Sequence, residues 1–361
     1  MDLVTQGLLG AVVGQVGFQR HLGKRAILWG GIVGLFPDAD VLVAKCVPNL
    51  MAMELIHRGL THSVFFAFIM AIPLGMALYH IDRKWMIKSD MRLRADQIKT
   101  WSLLCFWALI THPLLDLFTT FGTQLLAPFS NHRFALNAIP IIDLVYSLPL
   151  IASIVVGLVI PRKSFTVSSV ALFLTSTYLL LGIAQHDKAL GVARSFCAQN
   201  NLKCSRIEAF PLLPTIFAQR LWVQTNDTVY VSEYSTWTKK CRPWVAQTIT
   251  AIPESIREHV AFKTYDWFTN GIYVTKAQTA HGFCVIDSRY GSLAHKPFGR
   301  FCVCINGDAV VKNVDYDEVK SVQNALRSVP IARLEGQSLA SRTYHYLGLI
   351  KDLYVWTFVG S

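Results

Sequence analysis

Three short groups of residues in the first 120 positions are of types that bind metal or move protons. Phe36-Pro37-Asp38-Ala39-Asp40 closes an apolar stretch with two carboxylates one residue apart. An unpaired carboxylate at membrane depth is costly, so acids there mark functional positions by default. The competing reading is a helix end, where Pro37 starts a turn and the Asp residues cap or face water. In His57-Arg58-Gly59-Leu60-Thr61-His62-Ser63, two imidazoles flank a Gly that permits a tight bend, so both can point at one ion. The alternative there is an interfacial polar run in which Thr61 or Ser63 caps the following helix. Thr111-His112-Pro113-Leu114-Leu115-Asp116 places His112 and Asp116 at i and i+4, on one helix face inside an apolar segment. Alone they could form a structural ion pair; with the other groups on the same side, a shared metal is the more economical reading. Asp143 is a further candidate, as a ligand or as an acid that orients an imidazole.

The candidate metal ligands are therefore Asp38, Asp40, His57, His62, His112, Asp116 and Asp143. Mixed imidazole and carboxylate ligands fit zinc first, with manganese or iron as alternatives, and paired Asp residues allow two ions. The expected chemistry is attack of activated water on an ester or phosphoester. Arg58 and Arg133 are the candidate catalytic cations that would stabilise developing negative charge. Arg133 lies in Asn131-His132-Arg133, where a lone loop Arg is otherwise simply solvated.

These groups lie 20 to 50 residues apart, so the membrane topology must gather them. The chain has 361 residues, 52% hydrophobic and only 16% charged, too apolar for an ordinary soluble protein of this length. Spanning candidates are Ser63 to Ile81, Thr100 to Leu126, Ile139 to Ile160 and Phe165 to Ala184, each near the twenty residues or so that a bilayer requires. Leu3 to Phe18 and Ala26 to Phe36 are shorter, and Gly10, Gly14 and Gly17 allow close helix approach there. Met1-Asp2 leads straight into this stretch, so no cleavable signal peptide is expected. Basic residues gather in three loops: Arg20, Lys24 and Arg25; Arg83, Lys84, Lys88, Arg92, Arg94 and Lys99; Arg162 and Lys163. The positive-inside rule places all three in the cytoplasm. Threading the chain from there brings 38 to 62, His112, Asp116, the loop 127 to 138 and Asp143 to one depth near the outer surface. The net charge of +11 could suggest nucleic acid, but its location between apolar segments fits membrane orientation, and no nucleic-acid partner is expected.

The same residues, in this order, resemble the YdjM-like family of bacterial inner-membrane proteins. The matching elements are Met1 to Gln6, Pro37 to Asp40, His57 to Ser63, His112 with Asp116, and Phe121-Gly122-Thr123-Gln124 followed by Pro128-Phe129-Ser130. They cover roughly the first 160 residues and are specific as a set. The resemblance implies an inner-membrane protein whose His and Asp residues bind metal, with metal-dependent hydrolysis inferred from motif. A looser likeness to zinc phospholipase C proteins, which also place His and Asp ligands on helices, implies a lipid or other phosphoester as substrate. One departure is Gln6, where many relatives carry His: an amide is a poor metal ligand, which counts against a full two- or three-metal centre.

From about Gln185 the pattern changes to short alternating stretches, among them Leu221 to Gln224, Thr228 to Val231 and Phe301 to Ile305, separated by Gly, Asn and Asp turns. With a helical candidate at Asp315 to Val329, this predicts a small mixed α/β domain. The expected architecture is an α-helical polytopic membrane domain, residues 1–184, followed by a smaller α/β extramembrane domain, residues 185–361. Cys197, Cys204, Cys241, Cys284, Cys302 and Cys304 fall in the second domain, which the helix from Phe165 delivers to the outer, periplasmic side, so disulfides are expected. The competing readings are a Cys-based metal site, for which a CxxC pair is lacking, and buried free thiols, which require a cytoplasmic domain. Cys302 and Cys304 share one side of a strand and so would bond to separate partners. His281-Gly282 and Asp287 to Gly291 read as turns, and the domain reads as a lid or recognition module over the membrane site.

Three functions compete. A membrane-bound metal hydrolase acting at the outer face of the bacterial inner membrane ranks first. A non-enzymatic scaffold or sensor with a structural metal, recognisable by a closed coordination shell, ranks second. A transporter ranks third, because the polar residues gather at one face and no inverted repeat is visible.

Overall fold

The computed structural model describes residues 1–86, 94–279, 281–290 and 302–312. The chain divides into two compact units, Met1–Ile183 and Ala184–Ser361.

The first unit is helical. Helices α1 (Leu3–Leu22) and α2 (Arg25–Leu35) form an antiparallel hairpin, followed by a 3-10 turn (Phe36–Ala39) and short helices α3 (Asp40–Cys46) and α4 (Ala52–Ile56). A second 3-10 turn (Leu60–His62) leads into α5 (Val64–Met86), and α6 (Arg94–Leu117), α7 (Leu144–Val159) and α8 (Ser164–Gln199) complete the series. Among the described residues four helical stretches are long and apolar enough to cross a membrane: Arg25–Cys46, Val64–Lys84, Asp96–Leu117 and Pro161–Gln199. The apolar stretch Ala26 to Phe36, short by itself, gains its length by running through the turn at Asp38 into α3. Two expected spans change. The stretch from Thr100 leaves the helix at Leu117, and Ile139 to Ile160 is helical only over Leu144–Val159, short for a span.

The sequence explains how the hairpin closes. At Gly10 and Gly14 any side chain would meet the backbone carbonyls of Gly30 and Ala26, so the two helices approach backbone to backbone, as small residues permit in lipid. Trp101, Leu104, Ala108 and Leu109 of α6 pack with Ala67, Ala71 and Leu78 of α5 and with Ala26 and Val33 of α2. Polar links tie together the basic end of this unit: Arg25 ion-pairs with Asp82, and the Arg20 guanidinium lies 5.3 Å over the Phe165 ring. The first basic loop and the described residues that flank the other two thus share one end of the helical unit. The other end carries Asp2, whose side chain caps α1 through Thr5 N at 3.0 Å and whose amide donates to Ile141 O.

The second unit is a mixed α/β domain of two antiparallel sheets. Strands β1 (Arg206–Pro211), β2 (Ala218–Gln224), β3 (Thr228–Ser235) and β4 (Val245–Thr248) pair in sequence order. After α9 (Glu254–Arg257) and α10 (Val260–Thr269), strands β5 (Tyr273–Thr279), β6 (Gly282–Asp287), β7 (Cys302–Asn306) and β8 (Ala309–Lys312) form the second sheet. Helix α8 does not stop near Ala184 as expected: it continues to Gln199, where Ala189, Ala193 and Cys197 pack on Ala209, Leu221 and Val223. Cys197 is disulfide-bonded to Cys204, and Cys284 to Cys304 across the β6–β7 pair. Cys304 bonds to Cys284 and not to its neighbour on the strand, Cys302, which is buried and in neither disulfide; the two do not bond to each other, as expected, but only Cys304 takes a disulfide partner. The helix expected over Asp315 to Val329 lies outside the described residues.

Candidate metal centre

Four elements deliver the cluster. Pro37 tightens the end of α2 into a 3-10 turn and sets Asp38 facing inward, with Asp40 at the start of α3. Arg58 adopts a left-handed backbone (φ 60°), rare for a residue with a side chain. It is held there because its amide donates to Asp40 Oδ2 (3.2 Å) and its carbonyl accepts from Gln124 N (2.9 Å). That reversal turns the chain so that the second 3-10 turn brings His62 beneath His57. Helix α6 supplies His112 and Asp116 from one face, the latter one residue before the helix ends.

Four atoms converge. His62 Nε2 lies 3.3 Å from Asp38 Oδ1 and 3.4 Å from Asp116 Oδ2, and His112 Nε2 lies 3.4 Å and 3.6 Å from the same two oxygens. Ligands set tetrahedrally about 2.0–2.1 Å from an ion stand about 3.3–3.4 Å apart, the edge of that tetrahedron. His62 Nε2, His112 Nε2 and Asp116 Oδ2 are buried with no hydrogen-bond partner, a costly arrangement unless something sits between them. The residues present therefore fit a divalent cation.

The surroundings fix both imidazoles in the ligand tautomer. His112 Nδ1 donates to Gly34 O at 2.6 Å, leaving Nε2 as the lone-pair nitrogen. His62 Nδ1 donates to Thr61 Oγ1 at 3.0 Å, and that hydroxyl donates onward to Asp40 Oδ2 at 2.7 Å. Asp116 Oδ1 accepts from Gln6 Nε2 (3.0 Å) and the Arg58 guanidinium (3.0 Å) and meets the Met1 amine, so Oδ2 alone is aimed inward. Burial alone would push the His62 imidazole down, but Asp116, Asp38 and Asp40 outweigh it and raise it to about 10.

A second group shares Asp38. Asp38, Asp40 and His57 can also bring one ligand atom each within 4.8 Å of one another. In the geometry observed, His57 Nδ1 donates to Asp40 Oδ1 at 2.8 Å, with its side chain 16% exposed where His62 is fully buried. Burial keeps the His57 imidazole below its ordinary value in spite of Asp40, so it is neutral near pH 7. This is a carboxylate-oriented imidazole beside the four-ligand cluster.

A family model for the YdjM inner membrane protein matches residues 1–189, which contain every residue of this cluster. The chain belongs to the YdjM inner membrane protein family. It is also similar to the inner membrane protein YbcI of Escherichia coli (strain K12), 37% identical over 137 residues that make up 37% of this chain and 70% of the relative. No solved structure matches the chain.

Seen on the YdjM framework, the seven expected ligands separate into three roles. Asp38, His62, His112 and Asp116 form the convergent group. Asp40 and His57 stand beside it, hydrogen-bonded to each other. Asp143 belongs to neither group: its carboxylate caps α7, accepting from Val145 N (2.9 Å), Tyr146 N (3.2 Å) and Tyr178 OH (2.8 Å). A residue immediately before an apolar helix is an N-cap by its position, and that role uses the oxygens a metal would need.

The two arginines also separate. Arg58 is buried at the cluster, bonded to Thr119 Oγ1 at 2.7 Å and stacked over Phe121 at 4.9 Å. Arg133 reaches the other face of this region and donates to the carbonyls of Gly122 (2.9 Å), Glu54 (3.2 Å) and His57 (3.4 Å). It fastens two loops together instead of facing a ligand. Residues not singled out as site residues from the sequence include Thr61, Thr119 and Phe121. The two hydroxyls relay or accept hydrogen bonds at the cluster, and the ring lies between Arg58 and Arg133. Gln6, a poor ligand, has a different use, fixing Asp116 from behind.

Proposed function

We propose that this YdjM family member is a membrane-bound, metal-dependent hydrolase that acts on an ester or phosphoester at the outer face of the bacterial inner membrane. The observation that carries the reading is the convergence of two imidazole nitrogens and two carboxylate oxygens at tetrahedral ligand spacing in a buried setting. Asp38, His62, His112 and Asp116 would hold the ion, with zinc the best match to that donor set. Such an ion supplies Lewis acidity, which acidifies water and polarises an ester or phosphoryl oxygen.

The chain's own residues divide the remaining work. His57, oriented through Nδ1 by Asp40, presents Nε2 as the general base that takes a proton from the attacking water. As the new oxygen bond forms and the ester bond breaks, the same imidazole returns that proton to the departing alkoxide, giving an acid and an alcohol. Arg58, already at Asp116, faces the negative charge that develops on the substrate. The outer location is supported by the described basic residues at one end of the helical unit and the cluster at the other, read with the positive-inside rule. Two disulfides in the second unit support a periplasmic placement for it.

A second reading has one observation in its favour. Four protein ligands close a tetrahedral shell, as in structural sites of a scaffold or sensor. The partial exposure of His57 and Asp38 favours catalysis, since it gives a substrate a way in. The test is hydrolysis of phospholipid and simpler phosphoesters in mixed micelles by zinc-loaded protein and its His57→Gln variant. The hydrolase reading expects turnover that drops by about 100-fold or more in the variant. A fully metallated protein with no turnover on any ester would favour the structural ion.

A further inference from the structure

An apolar cavity of about 470 Å³ lies in the helical unit between α1, α6 and α8. It is lined by Leu9 and Val13 of α1, Thr111 and Leu115 of α6, Phe118 just past the end of α6, and Thr175 of α8. The two threonine hydroxyls add little polarity. Thr111 Oγ1 donates to Trp107 O at 2.8 Å and Thr175 Oγ1 to Ala171 O at 2.9 Å, each within its own helix. Trp107, half exposed, marks the far end on α6, so the cavity opens sideways along segments that cross the membrane.

Its length and position say what fits. From Trp107 to Phe118 is eleven residues, about 16 Å at 1.5 Å per residue, and one leaflet's share of a ~30 Å hydrocarbon core is about 15 Å. The cavity begins at the end of the unit that carries the cluster. Leu115 precedes Asp116, and Leu9 stands one turn from Gln6, which bonds the Asp116 carboxylate. From there it descends toward the basic end, reaching Phe18 on α1 and Leu172 on α8. A mainly apolar cavity of one-leaflet depth that starts beside a cluster of buried charges matches one acyl chain of a lipid whose head lies at the cluster.

We propose that this cavity binds an acyl chain of a membrane phospholipid and thereby sets the substrate class of the site. The assignment of the occupant as substrate rests on the hydrolase reading above; its binding does not. Gly17 makes the proposal testable, because it lines the cavity and a Cβ added there meets nothing within 4 Å. Gly17→Phe is expected to reach into the cavity from a position where its Cβ meets no neighbour, and Gly17→Ala is the control that leaves the cavity nearly open.

The experiment is native mass spectrometry of the full chain, delipidated in detergent and re-exposed to phosphatidylglycerol vesicles, with metal content measured on the same samples. Wild type and Gly17→Ala are expected to retain about one phospholipid per chain, and Gly17→Phe at least tenfold less. A second plug from α8, Ser176→Phe, is expected to give the same loss. Equal retention by wild type and both plugged variants would overturn the proposal, as would retention of detergent alone. Metal content reads the other claim separately: lipid retained by a wild type that binds no metal would sink the hydrolase reading and leave the acyl site standing.

Discussion

Replacing Asp40 by Asn distinguishes a residue that supports the centre from one that binds the ion. Asp40 Oδ1 accepts from His57 Nδ1 at 2.8 Å, and Oδ2 accepts from Thr61 Oγ1 at 2.7 Å and from Arg58 N at 3.2 Å. An amide keeps the shape but turns one of these acceptors into a donor, so it must face an N–H or O–H it cannot satisfy. Either His57 loses its orientation or the relay from Thr61 to His62 is broken, while all four ligand atoms stay in place. Loss of such an outer partner lowers metal affinity by about 10–100-fold, or about 1.4–2.8 kcal/mol. His112→Ala, by contrast, removes a ligand, and stoichiometric binding should disappear. The assay is competition with a chromophoric zinc chelator, using detergent-purified protein whose helicity has been verified by circular dichroism. If Asp40→Asn abolishes binding as completely as His112→Ala, Asp40 is a ligand and the division of roles is wrong. An unchanged affinity would refute the relay.

Other consequences concern the frame around the site. Asp143→Ala should cost about 1–3 kcal/mol, from the lost cap and the lost hydrogen bond from Tyr178, and leave metal content unchanged, as read by thermal melting and metal analysis. Gly14→Ala should lower the melting temperature sharply, by about 3 kcal/mol in stability, since the added methyl meets backbone of α2 and nothing flexible can give way. Alkylation under denaturing, non-reducing conditions should label four of the eight cysteines, and all eight after reduction; labelling of all eight without reductant would argue against an oxidising compartment for the second unit.

The sequence revealed the types of residue at the site better than their roles. Hydropathy located three of the four spanning helices among the described residues and charge located their basic end, because both are summed over many residues and survive errors at any one. Ile139 to Ile160 reads as a span and Ala26 to Phe36 as short because neither helix bounds nor the turn at Asp38 is written in hydropathy. The Asp38, His62, His112 and Asp116 group was visible because ionisable residues are costly in apolar surroundings. Asp143 was misread for the same reason: burial cost alone does not distinguish a metal ligand from a carboxylate satisfied by helix amides. The role of Arg133 depends on which carbonyls the loop folds back to meet, and the role of Gln6 on where α1 packs against α6. Neither is written in local pattern. The end of α6 at Leu117 was missed because the hydrophobic residues that follow suggest a longer span, whereas Thr123 pairs with Phe134 in an isolated bridge that needs extended backbone.

The central claim is the four-ligand centre, and X-ray absorption at the zinc edge on stoichiometrically loaded, detergent-purified protein tests it most directly. The account predicts about one ion per chain with four nitrogen and oxygen neighbours at about 2.0–2.1 Å, outer-shell scattering from two imidazoles, and loss of the ion in His62→Ala and His112→Ala. A shell containing sulfur, a site retained in both variants, or no tightly bound metal at all would contradict it.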